Sequence, residues 1–150
     1  PIHNAYTLRS FFILLFPGYP TVGEILSIVC SAAGIAWFIH FWKQNRSNHE
    51  LLYAGMVALT LWIIPHAMVY DWALLLIPAN LLWDHEIKLR QQWKAIFAIM
   101  WLAILLSTPL TLAQRSLLPI AIQIGVPALG WALYTGYQLL ENNRRNEISV

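Results

Sequence analysis

His66, Tyr70 and Asp71 stand in the run Pro65-His66-Ala67-Met68-Val69-Tyr70-Asp71, a polar interruption between two strongly apolar stretches, Leu51 to Ile64 and Trp72 to Trp83. Ionisable side chains at membrane depth are costly, which makes them functional candidates by default. A histidine facing a wet cavity can donate to a phosphate oxygen or transfer a proton near neutral pH, and a carboxylate can orient it or hold a sugar hydroxyl. Five residues apart across a proline-bounded turn, His66 and Asp71 are able to converge. The competing reading is a structural ion pair or hydrogen bond that ties the turn together. Tyr70 divides evenly between a site residue and an aromatic anchor at the membrane interface.

Arg9 is the next candidate, because it sits on a short apolar segment where a guanidinium can hold a lipid phosphate. Its bland alternative is a snorkelling headgroup anchor, and Arg115 carries the same ambiguity. Glu24 is expected to be solvated, or to be a helix N-terminal charge favoured by the dipole. Asp84-His85-Glu86, with His40 and His49 on another loop, superficially resembles a metal cluster. Consecutive side chains point in different directions on a helix, and no His-x-x-x-His pair completes the set, so neither a metal nor any other cofactor is called for. Gly-rich phosphate loops and Ser-centred nucleophile motifs are missing too, which excludes a soluble nucleotide-binding enzyme.

The elements that must position these residues follow from composition. The chain has 150 residues, 59% hydrophobic and 11% charged, with eight tryptophans, and a mean hydropathy of +0.57. That is the usage of an all-α, integral membrane protein. A formal charge of +2, dispersed along the chain, gives no footprint for nucleic acid. Cys30, the single cysteine, lies among Ser27, Ser31 and Ala32 and reads as a small packing residue.

Five membrane spans are predicted, at Gly23 to Trp42, Leu51 to Ile64, Trp72 to Trp83, Ala95 to Leu112 and Leu117 to Leu140. Residues 1–20 precede them, including an apolar run from Thr7 to Pro17 that is too short to cross and is expected to lie along the outer surface. Lys43, Arg46, Lys88, Arg90, Lys94, Arg144 and Arg145 then share one side, the cytoplasmic one, against Arg9 and Arg115 on the other. The turn at 65–71 faces outward, and the 141–150 tail is cytoplasmic and expected to fray. Trp37, Trp42, Trp72, Trp83, Trp93 and Trp131 read as interfacial or lipid-facing. The chain is read as the C-terminal part of a longer polytopic protein, folded as a single membrane domain.

Pro65-His66, Tyr70-Asp71, Leu74-Leu75-Leu76 and Pro78 together resemble a late segment of glycosyltransferase family 87. Asn4-Ala5-Tyr6-Thr7-Leu8-Arg9-Ser10 resembles that family's Asn-x-Ser-Leu-type segment, with Thr7 in place of the serine. The resemblance implies a C-superfamily membrane glycosyltransferase, working without a metal, that moves a hexose, mannose by the family, from polyprenyl phosphate to a glycolipid or polysaccharide acceptor. It implies a bacterial plasma membrane, a general base upstream of Pro1, and His66 beside the donor phosphate, with Tyr70 and Asp71 shaping the pocket; Arg9 joins them as a phosphate-binding candidate by its residue type and place. The rival classes are a transporter, with His66 and Asp71 as a proton or substrate site, and a non-catalytic membrane subunit.

Overall fold

The computed structural model describes residues 7–64, 69–85, 90–118 and 120–148, and among these the fold is all-helical. Helix α1 is Leu8–Leu15, α2 Pro20–Gln44, α3 His49–Ile63, α4 Leu76–His85, α5 Arg90–Leu117 and α6 Gly125–Ile148, with a 3-10 helix, Val69–Leu75, leading into α4. Local chemistry sets the ends. Thr7 and Ser10 form a reciprocal capping box that starts α1. Pro20 opens α2 at a position whose N–H has no helical acceptor to lose. Asn48 accepts from Leu51 N at 3.0 Å to start α3.

The core gathers one face of each central helix. On α5 the buried residues Trp93, Ile96, Met100 and Ile104 recur at helical spacing, and they meet Leu51, Ala54, Ala58 and Leu61 of α3, Trp72 and Leu75 of the 3-10 helix, and Leu129 and Ala132 of α6. Trp62 of α3 wedges between α2 and α6. A Cβ at Gly34 would lie 3.4 Å from its ring and one at Gly130 3.0 Å away, and its indole N–H donates to Val126 O at 3.0 Å. Small residues at these points let the helices approach closely.

The outward faces of α2 and α5 are as apolar as the inward ones. Ile25, Ile28, Val29 and Ile35 on α2, and Ile99, Leu102, Leu105 and Leu106 on α5, are all exposed. Both helices are long and apolar enough to cross a membrane, yet only 17% and 28% of their most apolar stretches are buried within the protein.

Several expected boundaries move. The first two spans shift by one to three residues, to Pro20–Gln44 and His49–Ile63. In the third, Trp72 to Trp83, the leading residues are 3-10 and α-helix begins only at Leu76. Pro78 lies in the first turn of α4, where its missing N–H is tolerated. The fourth grows to Arg90–Leu117 and carries Pro109 inside it.

The fifth is corrected most, because α6 begins at Gly125 rather than Leu117 and 120–124 is not helical. Side chains take over the backbone bonding there. Ile122 N donates to Gln114 Oε1 at 2.6 Å and Gly125 N to Ser107 Oγ at 3.3 Å, while Ala121 N donates to Leu14 O of α1 at 3.3 Å. Past Glu141, α6 runs on to Ile148, with Arg145 donating to Glu141 one turn earlier at 2.9 Å. Trp72 and Trp93 are core residues, 0% and 4% exposed, rather than interfacial ones, because the 3-10 helix and the inner face of α5 turn them toward α3.

Candidate functional site

The 3-10 helix is positioned from within. Trp72 and Leu75, three residues apart and so on one face at three residues per turn, are sealed in the core. Asp71, just before Trp72, is half-buried in the first turn, where the helix dipole favours a carboxylate. Leu74 on the other face is exposed. His66, which was read as able to converge with Asp71, lies outside the described residues, as do the side chains of Tyr70, Asp84, His85 and Glu86.

Arg9 is held on α1, which packs against the start of α2. A Cβ on Gly23 would stand 3.0 Å from the backbone of Phe12 and Ile13, so α1 lies directly on the α2 main chain. This crossing brings Arg9 Nη2 to 2.8 Å from Glu24 Oε1, with both side chains part-exposed. Glu24 is solvated, as expected, and is in addition the ion-pair partner of Arg9. A groove of about 500 Å³ runs from this pair along α2, past Ser27, Ile28, Ser31, Ala32 and Ile35, with Ile63 at the end of α3 on its far wall. Ile63, the last residue of α3, lines this groove together with Arg9, so α3 ends at this same end of the bundle.

Sequence reasoning missed a buried polar layer at that end. Thr7, Ser10, Ser107, Thr111 and Gln123 are each at most 2% exposed. Ser10 Oγ lies 3.0 Å from both Thr7 O and Gln123 Oε1, and Thr111 Oγ1 lies 3.5 Å from Ile122 O. The signal available was Ser107 and Thr111, one helical turn apart within an apolar run. With hydroxyls and an amide but no titratable group, the layer satisfies buried backbone and fixes α1 against 120–124 rather than moving protons.

No family model, no curated protein and no solved structure matches the chain.

Toward the other end, a small apolar cavity of about 70 Å³ lies among Trp37, Phe41, Ala54, Trp93, Met100 and Tyr137. The buried Trp93 Nε1 has no hydrogen-bond partner among the described residues. At that end Tyr137 Oη reaches Gln44 Oε1 at 3.3 Å, and Gln44 Nε2 lies 3.0 Å from His40 Nε2. Among the described residues its lining carries no charged side chain. Arg9 and Glu24 pair toward the opposite end of the bundle.

Proposed function

We propose that the chain is the C-terminal membrane part of a polyprenyl-phosphate-sugar-dependent glycosyltransferase, which transfers a hexose, mannose by resemblance, to a glycolipid or polysaccharide acceptor at the outer face of a bacterial plasma membrane. In this reading α2, α3, the 3-10 helix with α4, α5 and α6 make five crossings, with the C-terminus in the cytoplasm. The exposed apolar faces of α2 and α5 support it, since a water-soluble core would cover them. Helix α3, with 15 residues, spans only about 22 Å at 1.5 Å per residue. Its outer end therefore opens below the membrane surface, and irregular backbone at that depth belongs beside a watered cavity.

The observation that carries the reading is the 3-10 interruption itself. It sets Asp71, half-buried, between two apolar helices, α3 and α4. A lipid-linked donor is soluble only in the bilayer while the acceptor is outside, so the reaction belongs at this boundary. His66 stabilises the departing polyprenyl phosphate, Asp71 and Tyr70 shape the sugar pocket, and the general base comes from a segment preceding Pro1. Arg9 is left out of the donor site, because the Glu24 carboxylate 2.8 Å away opposes a second anion.

The test is sugar transfer from a labelled polyprenyl-phosphate mannose by the full-length protein in proteoliposomes. His66→Ala is expected to slow transfer by about a hundredfold, the scale of removing one donor to developing charge, and Asp71→Asn, which keeps the size but removes the carboxylate that accepts from sugar hydroxyls, is expected to slow transfer as well. Transfer by His66→Ala at the wild-type rate would remove His66 from the mechanism. Substrate accumulation inside vesicles without any transfer would move the protein to the transporters.

A further inference from the structure

We propose that the α1–α2 groove binds one ethanolamine phospholipid, with its headgroup on the Arg9–Glu24 pair and its acyl chain along α2. The mouth of the groove presents opposite charges 2.8 Å apart, both part-exposed, so it is locally neutral and dipolar. An anionic headgroup would gain at Arg9 and lose at Glu24. A zwitterion satisfies both: its phosphate takes guanidinium N–H donors, of which Arg9 has five, and its primary ammonium donates to the carboxylate. A quaternary ammonium carries no N–H and makes only the weaker, undirected contact.

Below the mouth the lining changes in the order a phospholipid does. Ser27 comes first, its hydroxyl donating to Glu24 O at 2.8 Å while its oxygen can still accept. Ser31 follows one turn on, about 10 Å from Glu24 along the axis at 1.5 Å per residue. It is half-buried in the groove, has no hydrogen-bond partner among the described residues, and can donate to an ester carbonyl. Ala32 and Ile35 carry the lining on past Ser31 as an apolar trough for a chain, with Ile63 of α3 opposite and Ile28 between the two serines. At about 500 Å³ the groove falls within the usual 300–1,000 Å³ range of ligand sites.

The experiment is native mass spectrometry of the full-length protein, released from micelles after equilibration with equimolar phosphatidylethanolamine, phosphatidylcholine, phosphatidylglycerol and polyprenyl phosphate. One bound ethanolamine lipid is expected, retained about tenfold over each competitor. Glu24→Gln is expected to abolish the preference for ethanolamine over choline, while Ser31→Leu, which fills the trough and leaves the charges, lowers retention of every lipid. Equal retention of all four lipids by the wild type, or dominance of either anionic lipid, overturns the proposal. The readout is bound mass rather than turnover, so a protein without transferase activity still tests it, and an active transferase that retains no ethanolamine lipid refutes it alone.

Discussion

Replacing Gly23 tests whether α1, and with it Arg9, is held by backbone contact. A Cβ at this position would sit 3.0 Å from Ile13 N, Phe12 C and Phe12 O, whereas ordinary contact begins at 3.4 Å, and no rotamer change relieves a clash with main chain. Helix α1 must therefore move by about 0.5 Å even for alanine. Gly23→Ala gains about 1 kcal/mol in helix propensity against an overpacking cost of about 1–3 kcal/mol, for a net loss of about 0–2 kcal/mol. Gly23→Val adds two branch atoms and pushes α1 further, beyond the reach of the Ser10–Gln123 bond of 3.0 Å and the Ala121 N to Leu14 O bond of 3.3 Å.

Each buried polar group left unpaired by that movement costs about 1–3 kcal/mol, so Gly23→Val should release α1 by about 2 kcal/mol or more. Amide hydrogen exchange in detergent micelles reads this directly. Protection of α1 and of Ala121 is expected to fall together by about thirtyfold, at 1.4 kcal/mol per tenfold, while the buried amides of α3 and α5 stay unchanged. Wild-type protection of α1 in Gly23→Val would refute the reasoning, and so would a loss spread evenly over the whole bundle.

Two further outcomes follow from the same geometry. Ser10→Ala and Gln123→Met, combined in a double-mutant cycle, should show a coupling of about 1 kcal/mol in unfolding free energy, and strict additivity would mean that their 3.0 Å bond holds nothing. Trp62→Phe keeps an aromatic ring between Gly34 and Gly130 but removes the donor to Val126 O, so thermal unfolding in detergent should register a loss of about 1 kcal/mol, and an unchanged midpoint would contradict the assignment.

Much of the fold was legible because helix formation in an apolar chain is a local property. The short α1, closed before Pro17, and the reach of α2 and α3 to within three residues were legible from apolar runs and prolines, while the Thr7–Ser10 cap, Pro20 and Asn48 that set the starts act within one turn of themselves. The long-range bonds were not legible in that way. Nothing near Gln123 in sequence shows that it meets Ser10, 113 residues away, so the stretch before Gly125 read as the start of a fifth span. Trp72 and Trp93 were misjudged for a related reason: aromatic residues at span ends are usually anchors, and only the packing of α3 against the 3-10 helix and α5 decides that these two are core. Of the candidate site, Asp71 and Arg9 were chosen by residue type and by their place between or on apolar segments. That Arg9 faces Glu24 depends on the α1–α2 crossing.

By itself the sequence determined an all-helical chain, the residues that carry charge, and the approximate reach of each apolar stretch, because these depend on side-chain type and on bonding within a few residues. The tertiary structure decided where helices give way to other backbone and which polar groups meet. Those outcomes depend on donors and acceptors brought together from distant parts of the chain: Ser107 with Gly125, Gln114 with Ile122, Arg9 with Glu24.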